Sequence, residues 1–197
     1  ANYGRMEVIM GEANSVLSLK YKISLEDYLN FNFISVEETF RKPRKKALVL
    51  GSIEIMVGIL LLIAMIFQNN FESIVIVLDI FLIAIGSYSV VFYKLIFPRS
   101  LKKSATKQYN SRDYLKNEIS LDFYPDKLVE NSHDGLTEVF WSDIYGFKIA
   151  KDIYMIMLSE KRCIIVPKAQ IEEKSYELEA FFESVSKEFD KKYIVQK

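Results

Sequence analysis

Two long apolar stretches limit what this chain can fold into. They cover Leu48 to Phe67 and Ile74 to Phe97, and a short polar connection, Gln68 to Ser73, separates them. Each matches the roughly 20 residues that a helix needs to cross a hydrocarbon core about 30 Å thick. A soluble helix of this length would show a polar face, and neither stretch has one. The sequence therefore predicts a transmembrane helical hairpin.

Each apolar stretch contains one carboxylate, Glu54 in the first and Asp79 in the second. A carboxylate near the bilayer centre costs roughly 2.5–3.5 kcal/mol on insertion scales. The many Leu, Ile, Val and Phe side chains gain roughly 0.3–0.6 kcal/mol each, so both stretches are still expected to insert.

Both carboxylates share helix faces with small residues. Glu54 lies on one face with Gly51 and Gly58, and Asp79 shares a face with Gly86. Small residues let helices approach closely in lipid, so both acids are expected at packing faces. At 1.5 Å per residue, Glu54 lies roughly 20 Å from the outer turn and Asp79 roughly 10 Å, too far apart to bond within one hairpin.

Two interpretations of these acids stay open. They form local hydrogen bonds between helices, or they contact a second copy or a polar group of a foreign membrane protein. Transport is the weakest alternative, because two isolated acids do not make a path for protons or ions.

Positively charged residues precede the first apolar stretch and follow the second, at the end of the hairpin opposite the connection. The connection between the stretches contains no Lys or Arg. Positive flanks stay in the cytoplasm, so both termini are expected to be cytoplasmic and the connection to face outward. The same charges are expected to attract anionic lipid at the membrane interface. They are Arg41, Lys42, Arg44, Lys45 and Lys46 before the hairpin and Arg99, Lys102, Lys103 and Lys107 after it.

Composition excludes some classes of protein. The formal net charge is zero, and the residues after the hairpin show no basic face, so nucleic-acid binding is not expected. The single cysteine, Cys163, excludes an intrachain disulfide and fits a reducing compartment. The apolar stretches begin too far into the chain for an ordinary cleaved signal peptide. We expect the natural start at Met6 or Met10.

Before the hairpin, polar and apolar residues alternate over Val16 to Ile23, which predicts a half-buried strand. Ser24 and the acids that follow it predict a helix start, and this helix should end before Pro43. Its apolar stripe favours packing against the soluble domain over lying on the inner leaflet. We expect the strand to join the sheet formed after the hairpin, since too little local chain is present to cover its apolar side.

After the hairpin, Leu101 to Leu115 is polar and is expected to form a helix that leads out of the membrane. Polar and apolar residues alternate in the region that follows. Six short strands with tight turns predict an antiparallel meander, closed on one side by a terminal helix with an apolar stripe from Leu178 to Phe189. The predicted strands are Glu118–Tyr124, Lys127–Ser132, Leu136–Trp141, Ile144–Ala150, Tyr154–Leu158 and Arg162–Val166. The expected organisation is a strand and helix over 1–46, the hairpin over 47–97 and a β-rich domain over 98–197.

The sequence shows no recognisable set of reactive groups. Ser132-His133-Asp134 has the residues of a catalytic triad, but neighbours in a turn cannot converge as a triad does, so an exposed hairpin turn is expected. One His and one Cys do not make a zinc site. There is no glycine-rich phosphate loop. We therefore expect no catalytic residue, cofactor or metal.

Several segments resemble the YcxB-like family of small bacterial membrane proteins. They are Leu25-Glu26-Asp27-Tyr28-Leu29, Trp141-Ser142-Asp143-Ile144, Lys151-Asp152-Ile153-Tyr154 and Ile164-Ile165-Val166-Pro167-Lys168, in this order around two apolar helices. The resemblance implies a two-pass protein of the bacterial cell membrane. It also implies a cytoplasmic domain similar to bacterial pleckstrin-homology (PH) domains, a bent antiparallel sheet capped by a C-terminal helix. Trp141 and Asp143 are expected to pack and cap at a strand end, with a binding role as the alternative.

Two functions follow as expectations. The first is a non-enzymatic, membrane-anchored interaction protein, in its most concrete form an immunity protein against a membrane-targeted toxin or bacteriocin. Its partners would be the lipid bilayer and a membrane or toxin protein, with a homo-oligomer as a further possibility. The second is a membrane-anchored regulatory or scaffold protein whose PH-like domain binds lipid or a protein.

Overall fold

The computed structural model describes residues 15–68, 72–159 and 162–196, without the side chain of Glu38. The expected start at Met6 or Met10 and half of the connection between the apolar stretches, residues 69–71, lie outside these residues. The chain divides into two units. The helical unit is Tyr28–Ser111, and the domain unit consists of the residues up to Asp27 together with those from Arg112 onward.

Two long apolar helices dominate the helical unit. Helix α1 covers Leu25–Gln68, helix α2 covers Ser73–Val91, and a π-helical segment, Phe92–Ile96, leads into α3, Phe97–Ser111. The stretches Thr39–Gln68 and Ser73–Ser111 are each long and apolar enough to cross a membrane. Both helices predicted from the sequence are therefore present.

The start of α1 was predicted correctly. The Ser24 hydroxyl accepts a hydrogen bond from the Asp27 backbone N–H at 3.1 Å, and the Asp27 carboxylate accepts one from the Ser24 N–H at 3.0 Å. This reciprocal pair satisfies two backbone donors that the first helical turn would otherwise leave free.

The predicted end of this helix before Pro43 is wrong, because α1 continues through Pro43 into the apolar stretch. An internal proline costs about 3 kcal/mol, since it removes one backbone hydrogen bond. Ending the helix there would free the last four carbonyl groups of one segment and the first four N–H groups of the next, which is more than the one bond that the proline removes.

The domain unit contains two four-stranded sheets, with strand orders β1-β2-β3-β4 and β7-β6-β5-β8. All neighbouring strands are antiparallel except β5 and β8. The strands are β1 Leu17–Lys22, β2 Glu118–Phe123, β3 Lys127–Ser132, β4 Gly135–Phe140, β5 Gly146–Ile149, β6 Ile153–Met157, β7 Cys163–Pro167 and β8 Lys192–Val195.

Strand β1 pairs with β2 along its whole length, from Leu17 opposite Phe123 to Lys22 opposite Glu118. This confirms the prediction that the N-terminal strand joins the sheet formed after the hairpin. The predicted single meander is instead split in two, because a short 3-10 turn at Trp141–Asp143 separates β4 from β5.

The sequence did not predict β8, which is short and mostly exposed. It runs parallel to β5, and its backbone comes so close to Gly146 that a Cβ added there would overlap the carbonyl oxygen of Lys192. Gly146 also has a φ of +154°, which disfavours other residues. Gly146 stands at the start of a buried strand, and a glycine there can indicate that another backbone passes close by.

Helix α4, Ser175–Glu188, packs aromatic side chains against both sheets. The Phe182 ring stacks on Phe147 of β5 at 4.4 Å, and Phe181 meets Phe123 of β2 edge-on at 5.5 Å. Trp141, wholly buried, lies between them at 5.6 Å from Phe181 and 6.0 Å from Phe147. The predicted terminal helix is thus part of the core that joins the two sheets.

Candidate functional site

Glycines line the contact between α1 and α2. A Cβ added to Gly86 would lie 2.6 Å from the carbonyl oxygen of Gly51, and one added to Gly51 would lie 2.8 Å from the carbonyl oxygen of Gly86. At Gly58 an added Cβ would overlap the side chain of Ile83. The structure therefore places all three glycines singled out from the sequence at the contact of the two apolar helices.

Asp79 is enclosed by this contact. Its side chain is 2 % exposed, and its Oδ1 lies 3.2 Å from the position that a Cβ of Gly58 would take. Neither carboxyl oxygen has a hydrogen-bond partner among the described residues. Burying a carboxyl group without a partner costs free energy, so a leucine would be the expected residue if packing alone mattered.

Glu54 lies farther along the pair of helices and is half-buried. The Cβ of Glu54 lies 3.0 Å from the position that a Cβ added to Gly86 would take. Glu54 is therefore at the level of Gly86. Asp79 is about 10 Å from this level along α2, at 1.5 Å per residue. Of the two acids, Glu54 is therefore the more accessible to a second molecule.

The basic residues that flank the apolar stretches fall into three groups. Arg41, Arg44 and Lys45 line a groove between α1 and α3. Lys42 and Lys46 are exposed on another side of α1. A shallow basic depression lies along α3, and its lining includes Arg99, Lys102, Lys103 and Lys107.

In the domain unit, the residues of the resemblance have separate structural roles. The Trp141 indole N–H donates a hydrogen bond to the Tyr124 carbonyl at 2.9 Å, while Asp143 is exposed in the 3-10 turn. Pro167 ends β7, and the Lys168 ammonium next to it lies 4.6 Å from the centre of the Tyr154 ring. The structure does not bring these four residues together into one site.

A polar cluster surrounds Tyr154, and no pattern in the sequence predicted it. Its hydroxyl donates a hydrogen bond of 2.7 Å to Glu179 of α4, and Lys168 lies 3.9 Å from the same carboxylate. Burial raises the pKa of Tyr154 to about 12, so it remains a neutral donor. The cluster ties α4 to β6 and to the turn that follows β7.

Strand β4 forms an exposed edge of its sheet. Leu136 is 64 % exposed and Phe140 47 % exposed. An edge strand with exposed apolar side chains can pair with another extended chain. Its alternating pattern predicted a strand, but nothing in the sequence indicated that it would lie at an edge.

His133 and Cys163 belong to different sheets of the domain unit, His133 in the β3–β4 turn and Cys163 in β7. Ser132 and Gly135 pair across the β3–β4 turn, and His133 is exposed there, as the sequence predicted. Burial raises the pKa of Cys163 to about 12, which keeps its thiol protonated at neutral pH. Among the residues that the structure describes, no group of three or more His, Cys, Asp or Glu side chains could hold a metal ion.

Comparison with known proteins locates a similarity in the domain unit. No curated protein and no solved structure matches the chain significantly. A family model does match, over a segment that runs from the end of β2 into α4 and includes Trp141, Asp143, Pro167 and Lys168. The resemblance seen in the sequence is therefore confirmed: residues 123–182 match the family of YcxB-like proteins.

Proposed function

We propose that this chain is a non-enzymatic, membrane-anchored interaction protein, and in its most concrete form an immunity protein against a membrane-targeted toxin. The helical unit is its anchor in the bacterial cell membrane, with both termini in the cytoplasm. The domain unit is its cytoplasmic part and is similar to PH domains. Two sheets joined by a C-terminal helix support this similarity.

The apolar surface of the helical unit supports the anchor. Large side chains are exposed along both helices, for example Leu60 at 58 % and Phe81 at 66 %. Soluble proteins rarely expose a continuous apolar surface of this extent, and lipid would cover it.

The interaction role is supported chiefly by Glu54. This residue is a half-buried carboxylate in the apolar part of α1, beside the glycines at which α1 and α2 are in contact. An anchor alone would be more stable in the membrane with an apolar residue there, by roughly 3 kcal/mol on insertion scales. A hydrogen bond from the carboxyl group to a helix of a partner would contribute about 0.6–2 kcal/mol and would offset part of this cost.

The orientation can be checked by thiol labelling in intact cells of a Cys163→Ser background. A cysteine introduced by Asn69→Cys is expected to react with a membrane-impermeant maleimide, because the connection faces outward. One introduced by Asn131→Cys is expected to react only after the cells are lysed. The opposite pattern would show that the anchor is inverted.

The immunity role is tested by protection. Cells that express the chain are expected to survive a membrane-targeted toxin encoded beside its gene at least tenfold better than cells without it. Glu54→Leu should reduce this protection, while Ser52→Leu, an exposed polar-to-apolar change on the same helix, should not. Both variants are compared at equal membrane abundance.

A second candidate function is a regulatory or scaffold protein whose domain unit engages a protein. The open edge of β4 favours it, because unpaired backbone groups there can bind an extended strand. If no toxin is resisted, and if Glu54→Leu leaves the association of the chain in membranes unchanged, this function replaces immunity.

A further inference from the structure

A groove of about 380 Å³ lies between α1 and α3, within the helical unit. Its walls are apolar, with Phe40 and Leu48 from α1 and Phe97 from α3. Its lining also includes the cations Arg41, Arg44 and Lys45 and one acid, Glu37. The volume is within the roughly 300–1,000 Å³ of small-ligand sites.

The π-helical segment before α3 helps to shape this groove. The Phe97 N–H donates to the Phe92 carbonyl, five residues earlier, so one extra residue is inserted into the turn. An extra residue rotates the helix that follows. The Phe97 ring then lies 5.6 Å from the Phe40 ring on α1, where the two aromatic side chains meet at the groove.

Positive charge in the groove exceeds negative charge by two. Arg41, Arg44 and Lys45 follow each other at helical spacing, so they share one face of α1. Among the described residues, the ion pairs lie elsewhere and none involves these three cations. Arg44 is half-buried, which makes it the cation most removed from water.

The position of the groove defines the ligand. It reaches Leu48, where the long apolar stretch of α1 begins, so its cations lie in the turns just before that stretch. In an inserted hairpin this is the level of the lipid headgroups on the cytoplasmic side. Its mixture of guanidinium groups and apolar walls matches a phosphate joined to acyl chains.

We propose that this groove binds one anionic phospholipid of the inner leaflet. Arg41 and Arg44 donate hydrogen bonds to the phosphate oxygens, since guanidinium groups match phosphate geometry. Phe40, Leu48 and Phe97 contact the first carbons of the acyl chains. The surplus of positive charge selects a headgroup with net negative charge over a zwitterionic one. This site rests on the membrane insertion proposed above.

The test is native mass spectrometry of the full chain released from nanodiscs with equal amounts of phosphatidylglycerol and phosphatidylethanolamine. The parent is expected to retain one phosphatidylglycerol. The double variant Arg41→Gln/Arg44→Gln should retain at least tenfold less. Lys42→Gln/Lys46→Gln removes the same charge from the same helix outside the groove, and it should retain as much as the parent. Circular dichroism establishes that both variants keep the parent helix content.

Three results would overturn the site. They are equal retention by the parent and the groove variant, equal loss in both double variants, and retention of phosphatidylethanolamine as strong as that of phosphatidylglycerol. Alkaline extraction separates this failure from failure of the proposed function. Release of the parent from membranes would refute the anchor and the site together, whereas an embedded parent without selective retention would refute only the site.

Discussion

Gly86→Leu is expected to separate α1 from α2. A Cβ at this position would lie 2.6 Å from a backbone oxygen of Gly51, which cannot rotate away as a side chain could. The helices must therefore move apart along the whole contact. Overpacking of this kind costs about 1–3 kcal/mol, and the loss of the surrounding packing adds to it. We expect a clear fall in the midpoint temperature of unfolding of the purified chain in detergent.

The matched control for this change is Ala64→Leu, which adds bulk at an exposed position of α1. It should leave the midpoint within the error of the parent. Gly51→Leu should reproduce the effect of Gly86→Leu, because the two glycines face each other. If Gly86→Leu is as stable as Ala64→Leu, the glycine contact does not hold the helices together.

Trp141→Ala is expected to have the largest effect in the domain unit. The side chain is wholly buried and contacts rings from both sheets and from α4. Its removal should cost about 3–5 kcal/mol as a cavity in the core. The half-buried Tyr124 also loses the hydrogen bond from the indole at 2.9 Å, a net contribution of about 0.5–1.5 kcal/mol. The total is a large part of the 5–15 kcal/mol that stabilises a typical domain.

The measurement is chemical denaturation of the full chain followed by far-UV circular dichroism. Fluorescence is unsuitable, because Trp141 is the only tryptophan. Tyr176→Ala is the control, since this aromatic side chain of α4 is 85 % exposed and should contribute less than about 0.5 kcal/mol. Similar unfolding midpoints for both variants would show that the core does not depend on Trp141.

Local patterns in the sequence predicted the elements whose structure depends on neighbouring residues. Strand β3 has the predicted bounds, Lys127–Ser132, because its alternation is bordered by turn residues on both sides. The cap at Ser24 and the glycine faces of the apolar helices also follow from short spacings. Each of these features needs only the residues within a few positions of itself.

Long-range features could not be predicted in this way. The parallel pairing of β8 depends on the backbone of Gly146, far away in the sequence. The groove at Arg44 depends on how the π-helical segment rotates α3, and no residue of that segment signals the change. The path of α1 through Pro43 depends on the backbone hydrogen bonds that an interrupted helix would lose, which outweigh the local preference against proline.

The pairing of β1 with β2 has a consequence for biosynthesis. The ribosome makes β1 first and must then make the whole helical unit before β2 exists. At about 5–20 residues per second, β1 waits on the order of 5–20 s with the apolar side chains of Leu19 and Tyr21 uncovered. If the helical unit is the membrane anchor proposed above, both apolar helices leave the ribosome, and can enter the membrane, before the domain can close. Until β2 is made, the unpaired strand is a target for chaperones and proteases.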